Sequence, residues 1–509
     1  MCLVCRALSG GASWASGLHA GDGMPGRLAA TEVAVAPTGS PLVDALLDGS
    51  TWSGPITFSF PNAANDYETA YGYGEPTTGF RAVSAAQAQA ARYIFEGRST
   101  FAGGPRMALT PVEGFTKATL TDAGGNGADI RIARSASVSG TAYAYLPGED
   151  EGGDIWFGED YDYTKPDVGD YAFATMIHEI GHALGLKHAH ETGGVAGLAL
   201  PASRNSLEYT VMSYYSYAPS GGESAPDGYT NEAYGFPQTF MMDDIAALQA
   251  IYGANYGFRG GNTTYKWSPA SGETRVNGVG QGVVGNGGGG PDNRIFLTIW
   301  DGGGIDTYDF SAYATKVTVS LVPGSFSIAS VAQRADLGDG HDARGNVFNA
   351  LLHEDDPRSL IENATGGSGS DRLKGNEAKN VLRGNAGNDA LTGLEGNDTL
   401  HGGAGRDSFL FTTALDRWKN VDRIADFSVP NDTIHLDNAI FLGLGGSGKL
   451  AGSRFHKGSA AHDSSDRIIY DKASGTLFYD PDGTGAGSAV KFEQLKPGLG
   501  LTAADFLII

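Results

Sequence analysis

Residues 366–410 divide without a gap into five nonapeptides: GGSGSDRLK, GNEAKNVLR, GNAGNDALT, GLEGNDTLH and GGAGRDSFL. Position one is Gly throughout (Gly366, Gly375, Gly384, Gly393, Gly402). Position six is Asp371, Asn380, Asp389, Asp398 or Asp407, and position eight is Leu373, Leu382, Leu391, Leu400 or Phe409. A flexible linker has no reason to keep an apolar residue at one fixed place, so the period specifies a repeated structural unit. Six residues suit a tight turn needing positive φ, hence Gly. Three make a short strand whose middle side chain enters a narrow core. The pattern therefore predicts a parallel β-roll, with carboxylates and turn carbonyls left to coordinate Ca²⁺, a hard cation that favours oxygen. If one coil uses two nonapeptides, Asp371, Asp389 and Asp407 form one column and Asn380 with Asp398 the other. The second repeat carries Asn380 and lacks two glycines, so its column is expected to bind calcium more weakly.

The rest of the composition narrows the class. A chain of 509 residues exceeds one ordinary core and predicts two or three domains. The net charge of -23 opposes binding to nucleic acid, since phosphate is repelled. Cys2 and Cys5 are the only cysteines, too few for a disulfide framework, and read as incidental to a terminal tail. No run approaches 18 apolar residues, so no stable membrane insertion is expected.

Residues 1–40 are Gly-, Ala- and Ser-rich without periodicity and read as a flexible leader or propeptide, with ordered structure beginning near Pro41. Strands are expected at Ile56–Phe60, Ala128–Ile132 and Thr141–Leu146, and a helix from a Ser84 cap to Phe95. Further helices are expected over Asp170–Leu184 and Asp243–Tyr252, the latter ended by Gly253. Beyond residue 257 helical periodicity gives way to Gly-rich turns and short strands, which places a boundary there.

The helix over 170–184 carries His178 and His182 four apart, so both imidazoles share one face and can grip one cation. Glu179 beside the first ligand reaches a water on that cation without displacing it. Phe173, Ile177, Ile180 and Leu184 form the apolar stripe that anchors the helix. Gly185 ends it, and His188 returns as a third ligand from outside. Three neutral imidazoles leave Zn²⁺ an open position, where it acidifies water and polarises a scissile carbonyl. Glu179 is the general base. No Gly-x-Ser-x-Gly signals an acyl-enzyme or a lipase. A calcium-binding repeat protein with a vestigial metalloprotease site is the reading from another class, and the intact ligand set with its Glu opposes it.

The zinc motif with Val211-Met212-Ser213-Tyr214 resembles the metzincins and their Met-turn, and the added calcium nonapeptides make the resemblance one to the serralysin family. It extends over residues 41–509, including Ala142–Pro147, Asp243–Gln249, Tyr252–Asn255, Trp300–Thr307 and Ile361–Ala364. The resemblance implies an α+β metzincin catalytic domain (41–257), an all-β calcium-binding parallel β-roll (258–410, repeats at 366–410) and a C-terminal β region (411–509). By that analogy Met212 lies beneath the zinc site and Tyr214 is an extra zinc ligand that swings away to stabilise the oxyanion. Ala142–Pro147 becomes the edge strand that pairs with an extended peptide substrate.

The same resemblance assigns calcium to Arg259, Gly261 and Thr263 opposite Asp301, Gly303, Gly304 and Asp306. It shares the next ion between Leu360 and Glu362, and places others at Gly367, Gly369 and Asp371, at Asn376, Ala378 and Asn380, and along Asp389, Asp398 and Asp407. Ala504–Ile509 resembles the C-terminal signal read by a type I secretion apparatus, besides being a final strand. The chain is thus expected to be a secreted bacterial monomer that cleaves proteins and peptides. It departs from the family at Ala189-His190, where many members have Pro, and over Glu191–Thr210; His190 reads as a solvated side chain.

Overall fold

The structure, a computed structural model, describes residues 30–99, 106–125, 127–149, 151–219, 228–285 and 290–509. Cys2, Cys5 and most of the expected leader lie outside the described residues. The end of that stretch is ordered earlier than expected: Thr31–Ala34 pairs antiparallel with Ser50–Ser53. All four of its residues are exposed, so the strand is held by backbone hydrogen bonds and leaves no apolar signature.

The first core is a five-strand path in the order Leu120–Asp122, Ile56–Ser59, Ile130–Ser135, Ile155–Phe157, Ala142–Ala144. The first four strands run parallel and the last is an antiparallel edge. The three longest helices among the described residues pack with it. Ala85–Glu96 starts in a capping box, where Ser84 Oγ accepts from Gln87 N and Gln87 Oε1 accepts from Ser84 N. Tyr171–Ala183 starts where Asp170 Oδ1 accepts from Phe173 N at 2.7 Å. Its stripe of Phe173, Ile177, Ile180 and Leu184 is buried to 1 % exposure or less. Met242–Tyr252 ends at Gly253 with φ +77°. Phe296, Trp300 and Phe348, all beyond residue 257, join this same core. Among the described residues no helix is long and apolar enough to cross a membrane.

The second core lies between two long sheets. The nonapeptide strands are Arg372–Lys374, Val381–Arg383, Ala390–Thr392, Thr399–His401 and Ser408–Phe411. They pair in parallel at a register of 18 residues: Leu373 lies opposite Leu391, Leu382 opposite Leu400, and Leu391 opposite Phe409. Position eight is buried in all five, at about 1.5–3 kcal/mol for each side chain removed from water. Both stacks continue past the repeats. One runs on through Thr433–Leu436 to Phe506–Ile508, which lies inside its sheet between Thr433–Leu436 and Gly448–Lys449. The other runs through Asp422–Ile424, Val490–Gln494, Thr476–Tyr479 and Ile468–Asp471 to Phe455–Lys457.

The turns take the positive φ expected of them, at positions two and four, in Gly387, Gly396, Gly403 and Gly405 and also in Asn385 and Leu394. Position one is Gly for a further reason. What excludes a side chain at position one is the position-six carboxylate. A Cβ on Gly384 would lie 2.2 Å from Asp389 Oδ2 and 2.6 Å from Gly402 O, and one on Gly393 would lie 2.0 Å from Asp398 Oδ2. Gly384→Ala is therefore expected to destabilise the roll by about 1–3 kcal/mol. Gly446→Ala, where a Cβ meets nothing within 4 Å, is expected to leave stability unchanged. Thermal unfolding of both variants checks the contrast.

Candidate active site

The Tyr171–Ala183 helix presents His178 and His182 toward His188, all three at most 6 % exposed. Each ring has its Nδ1 committed to an acceptor: Val211 O at 2.7 Å, Leu186 O at 2.8 Å and Glu191 Oε1 at 2.9 Å, respectively. With Nδ1 as donor, each Nε2 carries a lone pair. These Nε2 atoms converge, 3.1 Å apart for His182 and His178 and 3.0 Å for His182 and His188. Lone pairs so close repel unless a cation lies among them, and the donor set is that of Zn²⁺. Burial holds the imidazoles neutral, His178 at about 4 and the others well below their ordinary value. Neutral is the state in which they ligate.

The surrounding chain fixes this geometry. Gly181 has no side chain because Met212 is beneath the helix, its Sδ 2.6 Å from where a Cβ would stand. The Val211–Tyr214 turn is braced by buried Asp244, whose Oδ2 accepts from Val211 N at 2.8 Å and Met241 N at 2.9 Å while Oδ1 accepts from Thr210 Oγ1. Val211 O in turn orients His178. The last helical carbonyls are satisfied by Trp52 Nε1, which donates to Ala183 O, and by Tyr252 OH, which donates to Leu184 O. Gly185 takes φ +109° where a Cβ would meet Ser50 O at 2.5 Å. Buried Lys187 donates to Ala45 O, Glu191 O and Leu198 O, tying the loop that carries His188 to the N-terminal segment. Desolvation lowers its pKa to about 8.

Tyr214 OH lies 2.7 Å from His188 Nε2, within the histidine cluster. Glu179 is 3 % exposed and, with His178 and Tyr214, lines a cleft of about 630 Å³. Thr141, next to the edge strand, lines the same cleft, and Tyr171, Leu207, Val211, Tyr229, Phe236 and Pro237 give it an apolar wall. His190 is exposed and its ring packs beside His188, 5.4 Å between centroids.

The acidic clusters also assemble. Thr263 N donates to Asp306 Oδ1 at 2.7 Å, Gly303 N to Asp301 Oδ1 at 3.1 Å, and Asp306 N to Glu362 Oε2 at 2.6 Å. A Cβ on Gly304 would lie 2.8 Å from Gly261 O. Arg259 takes φ +50° at the start of the opposing loop, and buried Leu360 precedes Glu362 by two residues. Burial and the neighbouring Asp301 carboxylate raise Asp306 to about 8, and burial raises Glu362 to about 7.

In the roll, Gly367 N donates to Asp371 Oδ2, and Gly369 packs against Thr315. Three of the four position-six carboxylates accept the amide of the position-six residue two repeats earlier: Asp371 N donates to Asp389 Oδ1, Asp389 N to Asp407 Oδ1, and Asn380 N to Asp398 Oδ1. The second oxygens of Asp389, Asp398 and Asp407 are buried and find no hydrogen-bond donor among the described residues. The second repeat differs. Asn376 Nδ2 donates to Leu321 O and Ile361 O, Asn380 Nδ2 donates to Glu362 O, and Ala378 N donates to Asn376 Oδ1. Amide donors there meet the carbonyls directly.

Sequence reading missed several of these groups. The columns continue through Asp432, which accepts from Asp407 N, and through Asp422 and Glu493, which accept from Asp398 N and Ile424 N. Insertions after residue 410 break the period of nine that would have found them. Glu191 was missed because an acid three residues past the third histidine is informative only once His188 Nδ1 faces it. A carboxylate behind a ligating imidazole fixes the ring and raises its basicity. Glu191→Ala is expected to weaken zinc binding about 10–100-fold, seen as loss of peptidase activity at low free zinc that added zinc restores. Glu191→Gln, which keeps an acceptor, is expected to lose less.

Comparison with known proteins places the histidine cluster within a matched family segment. The family described as Peptidase M10 serralysin C terminal matches residues 288–443, and Matrixin matches residues 135–209. Metalloprotease AprA of Pseudomonas entomophila (strain L48) is 38 % identical over 349 residues, covering 66 % of this chain and 65 % of the relative. Metallopeptidase AprA of Pseudomonas marginalis is 36 % identical over 365 residues, covering 69 % and 68 %. Serralysin of Proteus mirabilis is 32 % identical over 269 residues, covering 50 % and 47 %. The chain thus spans between about half and about two thirds of these relatives' lengths. With a matrixin-type part holding the histidine site and a serralysin C-terminal part built as stacked parallel strands, the chain belongs to the serralysin family of metzincin metalloproteases.

Proposed function

We propose that this chain is a calcium-stabilised, zinc-dependent endopeptidase that acts outside the cell on proteins and peptides. The observation that carries the reading is the convergence of three Nε2 lone pairs beside Glu179, in a cleft bordered by the edge of a sheet. His178, His182 and His188 would hold the zinc, with Tyr214 as a further ligand at rest. When bound, zinc supplies Lewis acidity toward water and toward the scissile carbonyl.

The chain's own residues supply the rest. The free edge of Ala142–Ala144 pairs with an extended substrate backbone and lays it across the cleft. The apolar wall of Tyr171, Leu207, Val211, Tyr229 and Phe236 receives one substrate side chain and excludes water around it. Glu179 accepts a proton from the attacking water and returns it to the leaving amine nitrogen. Tyr214 OH, released from His188, donates to the oxyanion as the carbonyl becomes tetrahedral.

Calcium fits the acidic clusters for a stated reason. Burial raises Asp389 and Asp398 to about 7 and Glu493 to about 8, so the ionised fold carries uncompensated charge that a hard cation offsets. The ions are assigned to the loops at Arg259–Thr263 and Asp301–Asp306, to Leu360 and Glu362, and to Gly367, Gly369 and Asp371 with the Asp389, Asp398 and Asp407 columns. The turn of Asn376, Ala378 and Asn380 is the weakest member, since its amides already meet the carbonyls. We assign residues 41–257 to catalysis, 258–410 to the calcium roll and 411–509 to the C-terminal region whose last strand is the type I export signal.

Glu179→Gln is expected to reduce casein hydrolysis by about 10²–10⁴-fold while zinc content stays that of the wild type. Full activity in this variant, or after zinc removal, would exclude the mechanism. Calcium removal is expected to unfold the roll before zinc is lost, followed by circular dichroism and metal analysis. The raised carboxylates fix the sign of the pH effect. Below the ordinary carboxylate value near 4 they cost nothing; from there to about 7–8 stability falls, and above that the whole deficit remains. Chelated protein is therefore expected to melt at higher temperature as pH falls from about 8 to about 5. Calcium-loaded protein is expected to melt lower over the same interval, because protons displace the ion.

A further inference from the structure

Far along the chain from the catalytic histidines, the long sheet ends at the strand Phe455–Lys457, which pairs in parallel only with Ile468–Asp471 among the described residues. The crossing segment 458–467 folds back over the strand end and brings three metal-competent side chains together. His456 lies on the strand, and His462 and Asp466 lie in the crossing segment. Their ligand atoms all fall within 4.8 Å of one another.

The arrangement is built around the carboxylate. Asp466 is 4 % exposed, and its Oδ2 accepts from His462 N at 2.6 Å and Asp463 N at 3.0 Å. Those amides fix the carboxylate against the loop. His456 Nδ1 stands 3.9 Å from the same oxygen, beyond hydrogen-bond reach. Two ligands on one tetrahedral ion, each bonded at 2.0–2.2 Å, stand about 3.4 Å apart, so small side-chain rotations close the gap around an ion. The two imidazole rings lie nearly parallel, 16° between planes and 5.4 Å between centroids. His456 fits here because residue 458 is Gly: a Cβ there would lie 2.7 Å from His456 Nε2. His462 is largely exposed, with its Nδ1 3.7 Å from Asp463 Oδ2, and reaches the ion by leaving that solvated pair.

We propose that His456, His462 and Asp466 form a second transition-metal site, distinct from the catalytic one. Two imidazole nitrogens and one carboxylate suit a borderline divalent ion such as Zn²⁺ and disfavour Ca²⁺, which takes oxygen ligands. Bound there, the ion joins the edge strand to the loop that follows it and closes the open end of the sheet, a place where unpaired backbone otherwise invites pairing with another chain. Its coordination is completed by water, and its role is structural.

The test uses the full chain, replete in catalytic zinc and calcium, equilibrated with micromolar ZnCl₂ and analysed for zinc per chain beside His456→Ala/His462→Ala. The expected result is one zinc fewer in the variant, with unchanged casein hydrolysis and circular dichroism. Equal zinc content in the two proteins overturns the proposal, as does binding only at millimolar zinc. His462→Ala alone changes one exposed side chain and leaves the Asp466 turn intact. It is expected to weaken the extra zinc at least tenfold in competition with a chromophoric chelator, and an unchanged affinity overturns the proposal equally.

Discussion

Each imidazole of the buried histidine cluster has its Nδ1 hydrogen bonded to an oxygen, so three Nε2 lone pairs are driven into one small volume. That crowding is tolerable only around a cation, and much of the catalytic part holds it in place. Helix burial sets His178 and His182, the turn at Val211 sets one ring, and Glu191 sets another. The C-terminal part repeats the principle with oxygen. Asp389, Asp398 and Asp407 each keep one oxygen hydrogen bonded to a backbone amide and leave the other without a donor among the described residues. Both halves therefore carry concentrated negative potential inside a fold, which the proposed ions neutralise.

The two halves are also joined by packing. Phe296, Trp300 and Phe348 lie in the core that anchors the catalytic helix, while Leu109 lies in the core beneath the roll. Arg259 donates to Leu109 O and Tyr265 OH and so crosses the same seam. Trp300 adjoins the carboxylate loop at 301–306, so order in that loop bears on the core behind the histidine cluster. Under the proposed function, calcium outside the active site reaches catalysis through this shared packing, not through contact with substrate.

The sequence made much of this legible where a short-range period or a local cap was enough. The nonapeptides set the 18-residue register, and Asp170, Ser84 and Gly185 marked helix ends because capping is a matter of three or four residues. Position eight revealed the buried row. Groups brought together by long-range packing were not legible. Glu191 acquires meaning only from the ring it faces, Asp422 and Asp432 stand beyond the broken period, and Thr31–Ala34 is an exposed strand whose place is set by pairing with Ser50–Ser53. The turn's need for positive φ was legible in its glycines, but not the carboxylate oxygen that excludes a methyl group at position one.

The last strand, Phe506–Ile508, lies within a sheet with Phe506 and Ile508 buried. A segment so placed is accessible to a receptor only while the chain is unfolded. If it is the export handle, folding erases the address. Passage then acquires a direction without any further device: a chain that has folded on the far side offers nothing by which to be drawn back.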